Sequence, residues 1–198
     1  MPFAPALPRD DTRPADLDRL EWRVAGVTLF TLLTGFGAHL AIPLPPDGVP
    51  MTLQTLAVVL AAMCLGPKLG ITSMLAYLLV GFLGAGWFAG GNAGIEVLFG
   101  QTGGYLVGFV LCQPVIFRII RRRDGTIRGW GAIALASLAG HAVIFAIGVP
   151  WLAAVRGFSP ARAIEGGFMP FVPGLIVKTV LAVLIARWAI PRAARRLW

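Results

Sequence analysis

Long apolar segments alternate with short polar ones along the whole of this chain. A helix that crosses a membrane needs about 20 mostly apolar residues, and six segments approach or meet that length. They are residues 24–42, 53–66, 69–88, 97–118, 130–152 and 168–190. The second and third are separated by Pro67-Lys68, and a merged helix of about 36 residues would be too long for one crossing. The pattern therefore predicts an all-α integral membrane protein with six transmembrane helices.

Composition supports this class of protein. The chain of 198 residues is 57% hydrophobic and 13% charged, with a mean hydropathy of +0.79. Soluble domains carry about 25% charged residues, so lipid must cover part of this apolar surface. The net charge of +8 comes from arginines clustered between the apolar segments. Such clusters are typical of cytoplasmic loops rather than of a nucleic-acid-binding surface.

The basic residues also predict the orientation. With the N-terminus inside, fourteen of the 17 basic residues fall on the cytoplasmic side: Arg9, Arg13, Arg19, Arg23, Lys68, Arg118, Arg121, Arg122, Arg123, Arg128, Arg187, Arg192, Arg195 and Arg196. Positively charged loops stay in the cytoplasm, so both termini are predicted to be cytoplasmic. Residues 1–23 would be an N-terminal tail, 24–190 the membrane domain and 191–198 a basic C-terminal tail in a bacterial cytoplasmic membrane.

Five polar residues from four segments are predicted to converge on the outer half of the membrane domain. They are His39, Gln54, Asn92, Glu96 and Lys178. The spacing of Asn92 and Glu96 would place both on one face if that piece is helical. Hydrogen bonds between helices explain His39 and Gln54 about as well as ligand contact does, so both are weaker candidates.

Lys178 is the most informative of these residues. A lysine within a span costs about 2.5–3.5 kcal/mol on insertion scales, so it needs a partner, a cavity or a ligand. A ligand site is favoured, but an ion pair with Glu96 or extension of the side chain to the outer surface is the alternative. His141, midway along the fifth segment, is a deeper and weaker candidate.

The stretch from residue 88 to 109 contains seven glycines between apolar flanks. Non-helical backbone is tolerated at membrane depth only where protein buries it or a cavity touches it. Gly90, Gly91, Gly103 and Gly104 are therefore predicted to bring backbone groups close to a small solute. The alternative, close packing of helices through small residues, suits Gly81, Gly84 and Gly108.

Several chemistries have no candidate residues in the chain. No G-x-x-x-x-G-K-[ST] sequence, no metal-binding cluster and no Ser/His/Asp set is found within the spans. Cys64 and Cys112 each fall inside an apolar segment and are predicted to be buried free thiols. The chain is thus predicted to be a transporter subunit without an ATPase motif, a cofactor or a metal, rather than an enzyme.

Four phrases of the sequence resemble one known family. They are "IPLPPDGVPMTLQTLAVVLAAMCLGPKLG" (42–70), "FAGGNAG" (88–94), "GQTGGYLVGF" (100–109) and "PFVPGLIVKTVLA" (170–182). The chain resembles the BioY family, the biotin-specific S-components of energy-coupling-factor (ECF) vitamin transporters. The resemblance implies a six-helix subunit that binds biotin with high affinity and works with a transmembrane coupling subunit and a pair of cytoplasmic ATPases.

The resemblance also suggests roles for the candidate residues. Asn92, Lys178 and the glycine pairs at 90–91 and 103–104 would supply polar contacts to biotin. The rings of Phe88, Tyr105 and Trp87 would form an apolar slot for the thioether ring and the valerate chain.

The chain departs from the family in two places. Gln101 stands where the family usually has proline, and Leu175 stands where many members have an acidic residue. Glu96 is hypothesised to replace that missing carboxylate. S-components dock through small residues on their first helix, and the nearest match here is Thr31-x-x-x-Gly35, which is held to be the docking face.

Two other functions stay open at this point. An S-component for another small vitamin would share the architecture. A solitary carrier driven by an ion gradient would need a titratable group deep in the membrane, and His141 is the obvious candidate.

Overall fold

The fold is a bundle of long helices with one short hairpin of strands. The computed structural model describes residues 15–43, 49–122 and 126–197, so most of the predicted N-terminal tail lies outside the described residues. The helices are α1 (Ala15–His39), α2 (Gln54–Phe82), α3 (Ile95–Phe99), α4 (Gly103–Ile120), α5 (Trp130–Arg156), α6 (Pro160–Gly167) and α7 (Val172–Leu197). Two 3-10 turns, Ala89–Gly91 and Met169–Phe171, precede α3 and α7.

A break at Gly66 divides α2 into two antiparallel halves. Gly66 has φ 77° and ψ 177°, a conformation that favours glycine, and Pro67 then opens the second half. Nε2 of Gln54, at the start of α2, lies 2.5 Å from the hydroxyl oxygen of Tyr77. One straight helix would hold residues 23 positions apart about 35 Å from each other at 1.5 Å per residue. The predicted separation of this region into two segments is therefore confirmed.

The strands β1 (Ala41–Ile42) and β2 (Met51–Thr52) form an antiparallel pair between α1 and α2. Ala41 pairs with Thr52, and the N–H of Leu53 donates to the carbonyls of Gly37 and Leu40. These bonds place the start of α2 beside the end of α1. The polar residues at the beginning of α2 are thereby held in a fixed position.

Four helical segments in the described residues are long and apolar enough to cross a membrane, with α2 counted as one segment across its break at Gly66. They are Gln54–Phe82, Gly103–Ile120, Trp130–Arg156 and Pro160–Ile190. Large apolar side chains along α7, such as Val180 and Leu184, are exposed, as expected of a surface that lipid covers. The chain is a multi-pass membrane protein.

Helix packing brings α2, α4, α5 and α7 around a common core. The most extensive contact joins α4 to α5, and α2 packs against both α1 and α4. A Cβ at Gly108 would lie only 2.7 Å from the Cα of Ile144, so that glycine permits the close approach of α4 and α5. The hydroxyls of Ser137 and Thr179, 3.0 Å apart and buried, connect α5 to α7.

The predicted helix boundaries need several corrections. α1 begins at Ala15, inside the predicted N-terminal tail, and α7 runs to Leu197, inside the predicted C-terminal tail. The third segment ends at Phe82 rather than at residue 88, because a glycine-rich loop follows it. The fourth is a short helix, α3, and then α4, which begins at Gly103 instead of being interrupted there. Finally, α6 forms in the region that was predicted to be an outer loop.

Candidate functional site

A cavity of about 310 Å³ lies between α2, α4, α5 and the segment that connects α2 to α4. Its walls are made by twenty residues: Val49, Pro50, Thr52, Gln54, Thr55, Tyr77, Phe88, Ala89, Asn92, Glu96, Val97, Gly100, Gln101, Thr102, Tyr105, Leu106, Phe109, Ile144, Phe145 and Phe171. Apolar walls with a few polar groups are typical of a small-molecule site.

One wall of the cavity carries a chain of hydrogen bonds. The hydroxyl of Thr52 donates to Oε1 of Gln54 over 3.1 Å, and Nε2 of Gln54 donates to the hydroxyl oxygen of Tyr77 over 2.5 Å. The Tyr77 hydroxyl in turn donates to the carbonyl of Trp87 over 3.4 Å. The side chains of Thr52, Gln54 and Tyr77 are buried, and mutual hydrogen bonding offsets the cost of their burial. The chain fixes the orientation of the Gln54 amide at the cavity wall.

Lys178 lies behind this wall rather than on its surface. The side chain is buried, and its Nζ donates to Oγ1 of Thr55 over 3.0 Å. Thr55 lines the cavity and Lys178 does not. The structure gives Lys178 a threonine as its hydrogen-bond partner, and not Glu96. The Lys178 side chain therefore lies behind the cavity wall, next to Thr55.

Aromatic rings form another part of the cavity wall. Tyr105 stacks on Phe171 with ring centroids 6.4 Å apart, and Phe145 meets both rings at steeper angles. The hydroxyl of Tyr105 donates to the carbonyl of Gly167 over 2.9 Å. Because this hydroxyl has a protein partner, Tyr105 offers the cavity chiefly its ring.

The loop between α2 and α3 closes one side of the cavity. Phe88 is fully buried, stands edge-on to Tyr77 and fills the space left by Gly81. Asn92 and Glu96 line the cavity but are exposed overall, and the amide of Asn92 donates to the carbonyl of Ala89 over 2.7 Å. The side chain of Asn92 thus holds the loop as well as facing the cavity.

The glycine pairs act differently from the prediction. Gly90 and Gly91 have φ of 76° and 75° and do not line the cavity, so they shape the loop that carries Phe88 and Asn92. Gly103 and Gly104 also stay outside the cavity wall. A Cβ on either would meet backbone of the chain itself or the side chain of Trp151, so their role is close packing.

Among the three glycines assigned to packing, two fit that interpretation and one does not. Gly81 accommodates the ring of Phe88 and Gly108 lies against α5. Gly84 has φ 99° and open space around it, so its role is a turn.

The two histidines lie outside the cavity. His39 is exposed at the end of α1. His141 is buried on α5, where Nδ1 lies 2.8 Å from the carbonyl oxygen of Ser137. Of the weaker candidates, only Gln54 is at the cavity wall.

The predicted docking face is turned inward. The hydroxyl of Thr31 lies 3.1 Å from the carbonyl oxygen of Ser73 and 3.2 Å from its hydroxyl. A Cβ at Gly35 would lie 2.9 Å from the ring of Trp87. The chain itself covers both residues, because close packing of α1 on α2 and on the loop after it requires small side chains there. Trp87 consequently supports the cavity from outside and does not line it.

Other wall residues escaped the sequence analysis. Thr52 and Thr55 flank Gln54 in the phrase that carries the family resemblance, so their position was a usable signal. Phe171 lies in another of the quoted phrases, so its position was a usable signal as well. Tyr77 gave none, because a buried aromatic residue on a helix has the same pattern whether it faces a cavity or a neighbouring helix. In the described residues no group of three metal-ligating side chains occurs, and Cys64 and Cys112 are buried and form no disulfide, as predicted.

The fold and the cavity define a class: a helical membrane protein with a binding site for a small molecule between its helices. The model of the BioY family matches residues 13–196. The chain therefore belongs to the BioY family, and the predicted class of protein, a transporter rather than an enzyme, is confirmed.

Individual relatives agree with this assignment. The chain is 42% identical over 163 residues to the "Probable biotin transporter BioY" of Pyrococcus horikoshii, covering 82% of this chain and 93% of that protein. It is 40% identical over 159 residues to the "Biotin transporter BioY" of Thermotoga maritima, covering 80% of this chain and 89% of that protein.

A solved structure shows the same fold. It is the crystal structure of the S-component for biotin from an ECF-type ABC transporter, and it superposes with a TM-score of 0.78 at 24% identity. The match covers 88% of this chain and 93% of the other.

Proposed function

We propose that this protein captures biotin at the outer face of a bacterial cytoplasmic membrane, as the substrate-binding S-component of an ECF transporter. The observation that carries the proposal is the cavity, whose wall has a polar part and an aromatic part, in a chain of the BioY family. Its volume of about 310 Å³ is at the small end of the usual 300–1,000 Å³ range for ligand sites. A compact bicyclic ligand with one flexible tail suits such a space.

The chemistry of the two walls matches the two halves of biotin. The ureido ring has N–H donors and a carbonyl acceptor, which match the Gln54 amide and the hydroxyls of Thr55 and Tyr77. The thioether ring and the methylene groups of the valerate chain are apolar and suit Phe88, Tyr105 and Phe171, whereas the terminal carboxylate is anionic. Lys178, in contact with Thr55, provides a positive charge next to the polar wall.

We further propose that the chain crosses the membrane six times with both termini in the cytoplasm. The antiparallel halves of α2 count as two crossings, the helices α4, α5 and α7 as three more, and α1 as the sixth. The distribution of arginines supports the orientation. Cysteines introduced one at a time at Arg162 and Arg195 test it, since both native cysteines are buried. A membrane-impermeant maleimide applied to intact cells should label the first and not the second; the reverse result would contradict the orientation.

The partners are proposed on the same basis. The sequence contains no ATP-binding loop, and we propose that a transmembrane coupling subunit with two cytoplasmic ATPases supplies the energy, rather than an ion gradient. Biotin uptake in cells that express this chain alone should be far slower than in cells that express the ECF module as well.

Equilibrium titration of the purified, detergent-solubilised chain with biotin tests the central proposal. We expect saturable 1:1 binding that thiamine and riboflavin do not displace. Absence of biotin binding by protein that unfolds cooperatively on heating would refute the assignment. Displacement by another vitamin would instead identify an S-component of different specificity.

A further inference from the structure

Two side chains of α5 donate hydrogen bonds to the turn that joins α3 to α4, and these two bonds together are called the grip. Nε1 of Trp151 donates to the carbonyl of Gly100 over 2.9 Å. Nη1 of Arg156 donates to Oε1 of Gln101 over 3.0 Å. The turn of residues 100–102 contributes all three of its members to the cavity wall. A section of the wall is therefore fastened from behind by residues that do not line the cavity.

The glycine pair at the start of α4 makes this grip possible. A Cβ on Gly104 would collide with the side chain of Trp151, and a Cβ on Gly103 would lie 3.1 Å from its Nε1. The two glycines let α5 lie against the first turn of α4, and the indole then reaches the carbonyl of Gly100. The bond also gives the half-buried carbonyl of Gly100 a hydrogen-bond partner.

Arg156 holds Gln101 in a defined orientation. A guanidinium can only donate hydrogen bonds, so the atom of Gln101 that faces it must be the amide oxygen. The amide nitrogen of Gln101 is thereby kept as a donor for other acceptors. The guanidinium is itself placed by the ring of Phe158, whose centroid lies 5.3 Å from its central carbon. The exposed side chain of Arg156 is thus held by its hydrogen bond to Gln101 and by its contact with the ring of Phe158.

We propose that Trp151 and Arg156 are positioning residues that hold the 100–102 turn as a cavity wall and so slow the release of bound ligand. The identity of that ligand, biotin, rests on the function proposed above. The existence of the grip does not, because it can be measured in the protein without ligand. Gln101 gives Arg156 a side chain to hold.

The first experiment measures the turn in the ligand-free protein. Hydrogen–deuterium exchange of peptides spanning residues 97–104 is compared among the wild type, Trp151→Phe, Arg156→Ala and Arg162→Ala. Phenylalanine keeps a ring beside Gly104 but has no N–H. Arg162 is the matched control, because it has the same charge and lies over the same Phe158 ring at 4.9 Å. We expect about fivefold faster exchange in the first two variants only, the factor that corresponds to one net hydrogen bond.

The second experiment measures ligand kinetics with biotin. Arg156→Ala should raise the dissociation rate about fivefold and change the association rate less than about twofold. In a Gln101→Ala background, Arg156→Ala should add nothing, because Arg156 acts through Gln101. Arg162→Ala should release biotin at the rate of the wild type. Arg156 is exposed, so Arg156→Ala should not disturb folding. The test therefore remains decisive even if Trp151→Phe fails to fold.

Three results would overturn the proposal: unchanged exchange in both grip variants, equal acceleration of release by Arg162→Ala, or a full effect of Arg156→Ala without Gln101. The last two would show that charge, rather than position, governs release. A wild type that binds no biotin would refute the proposed function, and the exchange experiment alone would then decide whether the grip exists.

Discussion

The amide nitrogen of Gln54 lies 2.5 Å from the hydroxyl oxygen of Tyr77, and this contact joins the two antiparallel halves of α2. Both side chains also line the cavity. This hydrogen bond thus joins the two halves of the helical hairpin and is also part of the polar wall of the site. Folding of the hairpin and binding of ligand should therefore depend on the same pair.

Removal of the Tyr77 hydroxyl tests that dependence. In Tyr77→Phe the buried amide of Gln54 loses its acceptor, which costs about 1–3 kcal/mol. We expect a weaker affinity for biotin, by about tenfold, together with a lower unfolding temperature. Titration calorimetry and thermal unfolding in the same detergent measure both effects.

Tyr105→Phe is the matched control for this change. Its hydroxyl donates to the carbonyl of Gly167 and not to a wall residue. The variant should lower the unfolding temperature but leave biotin affinity within about twofold, because the ring remains in place. If both tyrosine variants weaken biotin binding equally, the polar wall has no special part in recognition.

Features of the site that depend on the local sequence could be predicted, and features that depend on contacts between residues far apart in the chain could not. The hairpin was predictable, because Gly66-Pro67 breaks a helix locally and the merged length is too great for one crossing. Gln54, Asn92 and Glu96 were also predictable, since polar groups in an apolar sequence are conspicuous. All three line the cavity.

Other features depend on residues far apart in the chain. The roles of Gly103 and Gly104 follow from Trp151, almost fifty positions away, and nothing in the local sequence reveals that contact. Lys178 was predicted to face a partner, a cavity or a ligand, and the structure buries it with Thr55 as its hydrogen-bond partner. Its place behind Thr55 rather than in the cavity depends on how α7 packs on α2, which periodicity does not determine.

Lys178 and Thr55 give a second prediction. Lys178→Met removes the charge but keeps the length of the side chain, and Thr55→Val removes only the acceptor hydroxyl. If the charge acts on the ligand through Thr55, both variants should weaken biotin binding, by about tenfold or more for the first and less for the second. Titration of both proteins measures this, with unfolding temperature as the check on folding. Unchanged binding in Lys178→Met would show that the lysine has a purely structural part.

Glu96 supplies a third prediction. It lines the cavity, is exposed, and lies apart from Lys178, whose partner is Thr55. Glu96→Gln should therefore leave the unfolding temperature unchanged, because exposed charges contribute little to stability. If the carboxylate replaces the acidic residue that the family has at the position of Leu175, biotin affinity should still fall severalfold. An affinity equal to that of the wild type would remove Glu96 from the site.

The position of Gly35 gives the last prediction, because the ring of Trp87 lies directly over it. Trp87 accepts the hydrogen bond from Tyr77 and precedes Phe88, so its displacement would disturb the polar wall. Gly35→Trp should destabilise the fold by about 1–3 kcal/mol, as overpacking does, and should also weaken biotin binding. Phe36→Trp, at the exposed neighbouring position, is the matched control and should change neither. Thermal unfolding and biotin titration of both variants measure the difference. A Gly35→Trp protein that is stable and binds biotin normally, yet fails to co-purify with a coupling subunit, would instead support a docking role for this face of α1.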